Sequence, residues 1–281
     1  PCSFGQRCAQ RMEQPTPSPT PLVQAVSGAL TTRSFGRVIR GFGSVDSTNN
    51  VAAAWAAEGA PAGSVVLAEF QTAGKGRMGR TWSAAPGKNL TFSIILRPTI
   101  LPGLFGLIPL MAALAVAEAV DPFTTPISPE IKWPNDLLLE GRKCGGMLLE
   151  SQTMGSTPNT VILGIGLNVN QDEFPSELAS HATSLLLATG RMIDRAALLA
   201  SILFQLERYY ARLSDDASAV RMAYTERLSQ LGDTVTFRLS QTNRTVEGVI
   251  EGITETGGLI LRTNTGIQTF HAGEITTHRS A

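Results

Sequence analysis

The stretch "QTAGKGRMGRTW" (residues 71–82) concentrates more chemistry than any other in the chain. Gly74, Gly76 and Gly79 form a G-x-G-x-x-G spacing, threaded by Lys75, Arg77 and Arg80 and closed by Trp82. Glycines let a backbone bend and approach a ligand closely, which suits a phosphate. From Phe70 to Ala117 the chain carries Lys75, Arg77, Arg80, Lys88 and Arg97 and no acid, although its 23 Lys and Arg balance 23 Asp and Glu overall. Like charges this close repel, so the segment calls for an anionic partner. Trp82 is suited to stack on an aromatic base or to shield the site from water. The plain alternative is a solvated hairpin tip.

Two familiar nucleotide loops do not fit. A Rossmann turn runs from strand into helix and has an acid about 20 residues on for the ribose. Here the loop runs into "SAAPGKN" and a second strand, and no acid appears before Glu118. A protein kinase needs H-R-D and D-F-G segments, and neither is present.

Three further groups stand out. In "KWPND" (132–136), Pro134 restricts Trp133 to extended backbone and helps fix how Lys132 is presented. A lysine between Ile131 and Trp133 acts more strongly on a nearby anion than one in water, although a strand-end lysine snorkelling to solvent reads the same. Gly145 and Gly146 at a strand start suggest close approach by a ligand or another backbone. Asn168, near the end of "GIGLN", offers a donor and an acceptor together, suited to the edge of a base or to a turn.

The elements that must hold these groups alternate between strands and helices. "RVIRGFGSV", "GSVVLAEF", "LTFSIILRP" and "TVILGIGLNVN" read as strands, the second and third flanking the glycine loop. "EIKWPNDLLLEGRKCGGMLLES" reads as two strands around "LEGRK". "DSTNNVAAAWAAEG" reads as a helix with capping residues at its start and Gly59 at its end. "SELASHATSLLLATG", "DRAALLASILFQLERYYARL" and "SAVRMAYTERL" read as helices, the second with Leu198, Leu199, Ile202, Leu203, Leu206, Tyr209, Tyr210 and Leu213 on one face. Gly103 to Val120 is long and apolar but contains Pro109 and Glu118, so a buried core helix is expected rather than a membrane span. After Leu231 the texture changes to period-two alternation with turn signals at Thr242-Asn243, Glu255 to Gly258 and Asn264 to Gly266, the pattern of a small β domain.

The expected division is therefore a disordered tail over 1–32, rich in Pro, Ser and Thr; a mixed α+β domain over 33–231; and a β domain over 232–281. Net charge of zero argues against general affinity for nucleic acid or membrane surfaces. Three cysteines and three scattered histidines give neither a disulfide framework nor a metal-binding spacing, which points to a reducing cytoplasm.

Taken together, the segments "DSTN" (46–49), "QTAGKGRMGRTW" (71–82), "KWPND" (132–136), "GRKCGGMLLE" (141–150), "GIGLNVN" (164–170) and "ATSL" (182–185) resemble the biotin protein ligases, the biotin–[acetyl-CoA-carboxylase] ligase family, in order and spacing. The resemblance implies an α+β fold: a mixed β-sheet with helices, like the catalytic domain of class II aminoacyl-tRNA synthetases, followed by an SH3-like β-barrel. It implies that biotin is activated by ATP and Mg2+ as biotinyl-5′-AMP and transferred to a lysine of a biotin carboxyl carrier protein. Arg77 and Lys132 become the catalytic candidates, meeting the carboxylate and the α-phosphate. Biotin binding falls to Ser47, Thr48, Asn49, Gln71, Gly74, Lys75, Gly76, Arg77, Lys132, Gly145 and Gly146. ATP binding falls to Arg80, Trp82, Asn135 and Asn168, with Asn135 and Asp136 helping to place nucleotide or metal. Mg2+ would arrive on the ATP phosphates, its protein ligands unassigned. Lys75 stands where many relatives have Arg, which keeps the charge and loses bidentate geometry. The expected type lacks an N-terminal DNA-binding domain and binds neither DNA nor membrane; a homodimer is left open. A lipoate–protein ligase shares the adenylation logic, but its R-R-x-x-G-G-G segment is missing here. A biotin-responsive DNA-binding repressor is the non-enzymatic alternative, disfavoured by the neutral charge and the short Pro/Ser/Thr-rich leader.

Overall fold

The computed structural model describes residues 16–18, 20–154, 157–240 and 244–276, and of 152–154 and 157–159 the backbone alone. Cys2, Cys8 and the Thr242-Asn243 turn lie outside the described residues.

The chain begins its described course with a helix, α1 (Pro21–Ala29), capped by the Thr20 hydroxyl and started by a proline at its first position. This corrects the expectation of disorder through residue 32. Leu22 and Val26, one helical turn apart, are buried against the main core. The polar residues around them mask a short apolar stripe. Strand β1 (Ile39–Phe42), helix α2 (Thr48–Ala57) and strand β2 (Val65–Ala68) then form a parallel strand–helix–strand unit. Strand β3 (Leu90–Leu96) follows, then helix α3 (Leu107–Thr124).

Strands β4 (Glu130–Lys132) and β5 (Asp136–Leu139) come next, joined by Trp133-Pro134-Asn135 and paired so that Lys132 faces Asp136. The sequence suggested one strand here, because "EIKWPNDLLL" hides a tight turn within a nearly continuous apolar run. Strands β6 (Arg142–Met154) and β7 (Thr157–Leu167) complete the sheet. Helix α4 (Leu185–Thr189) is shorter than expected: residues 176–181 are turns, and the Ser184 hydroxyl caps the helix only from there. Helices α5 (Arg195–Asp215) and α6 (Ala217–Glu226) lead to the β domain, with strands β8 (Thr234–Leu239), β9 (Thr245–Ile253), β10 (Leu259–Thr263), β11 (Gly266–Phe270) and β12 (Gly273–Thr276).

Among the described residues the main sheet has the order β1-β2-β3-β7-β6-β5-β4, antiparallel after the β1–β2 pair. Both faces are covered, and β3 shows the consequence. Leu90, Phe92, Ile94 and Leu96 join the core beneath α3 and α5, whereas Ile95 joins a second cluster beneath α2. A strand buried on both sides reads as an unbroken apolar run even though its side chains alternate. Helix α3 is buried in the larger core along nearly its whole length, as a soluble core helix is.

The α2 face is where polarity enters. Thr91 and Ser93 of β3 share it with Ile95, and Gly164 and Gly166 of β7 share it with Ile162. The β domain orders its strands β11-β10-β9-β8-β12, and Val235, Phe237, Ile250 and Ile275 belong to the same apolar cluster as the main domain.

Candidate active site

One cavity opens on the α2 face of the sheet, and elements from most of the chain build its wall. The parallel β1–β2 pairing extends beyond the strands: Val45 bridges Gln71, and the amides of Thr72 and Ala73 donate to the carbonyls of Val45 and Asp46. The first residues of α2 are thereby set beside Gln71. Its Oε1 accepts from the Thr48 amide (2.7 Å) and the Thr48 hydroxyl (3.1 Å), and Ser93 Oγ lies within hydrogen-bond distance of both Thr48 Oγ1 (2.7 Å) and Asn49 Oδ1 (2.6 Å), with one proton to share between them. Asn49 in turn donates to Glu150 (2.6 Å). A side chain on Gly164 would collide with the Asn49 amide, so this glycine makes room for the network. Ser47 is the N-cap residue of α2, yet its side chain makes no capping bond; Asp46 Oδ1 instead accepts the Ser47 amide (2.6 Å). The Ser47 side chain is left to the cavity it lines.

The glycine-rich segment folds back on itself. Lys75 bridges Thr81, the Gly76 amide donates to Arg80 O (2.7 Å), and the Trp82 amide donates to Gly74 O (2.9 Å). At the tip Met78 has φ 56° and is 54% exposed. A left-handed methionine is an uncommon, strained choice. Gly74 does not line this cavity. A Cβ there would strike the Trp82 carbonyl, so its lack of a side chain serves the fold of the loop.

Among the described residues five cations line the cavity. Lys75 pairs with Glu150 (3.1 Å), Arg80 with Glu274 of β12 (2.9 Å) and Lys143 with Asp136 (2.5 Å). Outside it, Lys88 pairs with Asp172. Part of the anionic compensation the sequence called for thus comes from the protein's own carboxylates, supplied by distant segments. Arg77 and Lys132 differ: among the described residues neither has a carboxylate within 4.0 Å. Arg77 donates to Asn135 Oδ1 (3.2 Å). Burial pulls its guanidinium below the ordinary value, and the charge of Asp136 pulls it back up; arginine remains charged under such conditions. Lys132, half-buried, stands at the end of β4 before the Trp133-Pro134-Asn135 turn.

That turn is gripped from two sides. Asn135 Nδ2 donates to Met147 O (2.6 Å), and the Met147 amide donates to Asn135 O (3.0 Å). Trp133 Nε1 donates to Gly257 O of the β domain (3.1 Å), and its ring lies 5.9 Å from that of Phe237. Such anchoring gives Lys132 a fixed place of origin.

Trp82 leans over Gly166 so closely that any Cβ there would meet its ring, and its Nε1 is buried without a hydrogen-bond partner among the described residues. Asn168, expected at the adenine, is not on the cavity wall. Its Nδ2 donates to Thr183 O (3.1 Å) and its amide to Cys144 O (2.7 Å), tying β7 to the 182–185 segment. Gly145 is likewise off the wall and packs against Leu167 within the sheet, whereas Gly146 is on it. Cys144 is fully buried, and burial pushes its thiol pKa up, so it is an inert core residue.

The sequence reading missed Lys143, Glu150 and Glu274. Lys143 and Glu150 sit inside the "GRKCGGMLLE" stretch, where attention went to the glycines. Glu274 carries no local signal, since only tertiary packing brings β12 to the wall. Among the described residues no group of three or more His, Cys, Asp or Glu side chains could hold a metal ion.

The chain has relatives among known proteins. Residues 41–168 match the Biotin/lipoate A/B protein ligase family, and residues 231–276 match the Biotin protein ligase C terminal domain. The chain is 38% identical to the bifunctional ligase/repressor BirA of Bacillus subtilis, over 82% of this chain and 71% of that one. It is 34% identical to the biotin–[acetyl-CoA-carboxylase] ligase of Paracoccus denitrificans, over 82% of this chain and 96% of that one. The solved biotin protein ligase of Aquifex aeolicus in complex with biotin and ATP superposes with a TM-score of 0.75 at 30% identity, covering 87% of this chain and 100% of that one. With both family matches and a relative 34% identical over nearly its whole length, the chain belongs to the biotin protein ligase family.

Proposed function

We propose that the cavity activates biotin with ATP and that the protein then biotinylates a lysine of a carboxyl carrier protein. The observation that carries this is the pairing of Arg77 and Lys132, cavity cations without carboxylate partners among the described residues, with the polar wall of Thr48, Asn49 and Gln71. A ureido ring needs donors and acceptors together, and Thr48, Asn49 and Gln71 supply both. A carboxylate attacking a phosphate brings two anions together, so fixed cations must cancel their charge.

In the first step a carboxylate oxygen of biotin bonds to the α-phosphorus of ATP, and the bond from that phosphorus to the bridging oxygen breaks. Pyrophosphate leaves with the electron pair, giving biotinyl-5′-AMP. Arg77 and Lys132 neutralise the carboxylate and the α-phosphate, with Lys75 and Arg80 supporting, and Trp82 offers its ring to adenine. In the second step an unprotonated carrier lysine attacks the biotinyl carbonyl, AMP leaves, and the amine gives up a proton. Mg2+ would enter on the ATP phosphates, its protein ligands unassigned. Three cysteines without the spacing of a disulfide framework support action in a reducing cytoplasm.

Mixing the pure protein with biotin, ATP and an isolated carrier domain tests the reading. Acid-quenched product should contain biotinyl-5′-AMP without the carrier and amide-linked biotin with it. Adenylate that never passes to the carrier would refute the second half.

A further inference from the structure

We propose that Lys143 is a further substrate-contacting cation of the adenylation site, held in reserve by Asp136 and turned to a phosphate oxygen of ATP when the nucleotide binds. This rests on the adenylation reading above.

Three features converge on the position of this ammonium group. First, the β5–β6 register shifts between Leu137 and Leu138, so that Gly145 faces Leu137 while Lys143 faces Leu138 and Cys144 is the extra residue. In a regular strand, residues 143 and 146 would point to opposite faces. The bulge puts them on one face, and bulges beside active sites re-aim side chains in this way. Second, Gly146 clears the path. A Cβ at Gly146 would lie 3.3 Å from Lys143 Nζ and 3.4 Å from its Cε. Third, the backbone of Lys143 is pinned, its amide donating to His181 O and its carbonyl accepting from the Thr183 amide, both at 2.8 Å. The side chain runs from this fixed base into the cavity wall, with Nζ 2.5 Å from Asp136 Oδ1 and 5.9 Å from the centre of the Trp82 ring.

A stabilising role alone does not account for these devices. The two side chains are 37% and 26% exposed, and ion pairs open to solvent add little to stability. An exposed lysine pair is also easily exchanged for a stronger anion, and the phosphate chain of ATP carries several charges. Asp136 would then need another donor. The Tyr224 hydroxyl of α6 is fully buried and has no hydrogen-bond partner among the described residues. Burial first and the charge of Asp136 second push its pKa up, so it stays protonated.

The test uses the full chain and biotin-dependent ATP–pyrophosphate exchange, comparing Lys143→Gln, Lys143→Arg and Asp136→Asn. Lys143→Gln should lower kcat/KM for ATP by about 10²-fold, the order expected for one lost charge-stabilising donor, with biotin affinity within a few-fold of wild type. Lys143→Arg should recover most of that loss. Asp136→Asn frees the lysine and should lose far less than Lys143→Gln. Exchange by Lys143→Gln within a few-fold of an active wild type overturns the proposal. So do equal losses in Lys143→Gln and Asp136→Asn that track a shared fall in Tm, which would mark the pair as purely structural. A wild type with no biotin-dependent exchange removes the adenylation reading beneath it.

Discussion

Arg77 of the glycine-rich loop donates a hydrogen bond to Oδ1 of Asn135, three residues after Lys132, across 3.2 Å. The loop is thereby fastened to the turn that presents the lysine, and the two cations are held on one scaffold although β3 and α3 lie between them in sequence.

Arg77→Ala removes both the cation and the tie to Asn135. Biotin should bind more weakly, and biotinyl-5′-AMP should escape at least about tenfold faster, because a closed loop keeps water from a mixed anhydride. Adenylate released to solvent, measured by rapid filtration, checks this. Retention equal to wild type would show that the loop is no lid.

Gly166→Ala tests the place of Trp82. The added methyl meets the indole ring and must displace it. If the ring carries adenine, KM for ATP should rise by about tenfold or more, since stacking on an aromatic is worth about 1–3 kcal/mol, while biotin affinity stays near wild type. Isothermal titration with each ligand separates the two.

The N-terminal helix should matter for stability. Val26 is fully buried beneath α1, and Val26→Ala removes two core methyls at a cost of about 2 kcal/mol. Calorimetry should show Tm lower by about 5 °C, with kcat unchanged at low temperature. An unaltered Tm would mean that α1 is not docked in solution.

Glu207 of α5 fastens the segment after α1. It accepts the amides of Arg33 (2.7 Å), Ser34 (2.6 Å) and Phe35 (3.0 Å) and the Ser34 hydroxyl (2.8 Å). Burial pushes its pKa up, but these donors outweigh burial and leave it below the usual carboxylate value. A lowered folded pKa means stability that is present above the unfolded glutamate value, about 4.3, and lost as pH falls through the folded one. Glu207→Gln should therefore lower stability at neutral pH and flatten the acid limb of the stability profile below about pH 4. Denaturant titrations across pH 2–7 measure both, and parallel curves for variant and wild type would contradict the assignment.

How far the sequence could be read depended on where each signal lay. The apolar runs of β3 and α3 and the helical repeat of apolar residues in α5 are local and strong, and the structure has all three. The "QTAGKGRMGRTW" and "KWPND" stretches were joined into one site by the family resemblance, since alone they read equally as a solvated hairpin tip and a strand-end lysine. Helix α1 was missed because Leu22 and Val26 are few beside the prolines and serines around them. Glu150 and Glu274 were missed for a deeper reason: a carboxylate meets Lys75 or Arg80 only after strands distant in the chain pair or dock. Asn168 and Gly145 sat in motifs whose neighbours reach the cavity while they themselves hold the sheet together, a distinction set by strand register and invisible to spacing.

Biotin-dependent ATP–pyrophosphate exchange, run with biotin, with lipoate and with Lys132→Ala, tests the central claim most directly. Biotin should support exchange and lipoate should not. Lys132→Ala should fall by about 10²–10³-fold with an unchanged circular dichroism spectrum. Equal exchange with lipoate, none with biotin, or a folded Lys132→Ala protein within a few-fold of wild type would contradict the account.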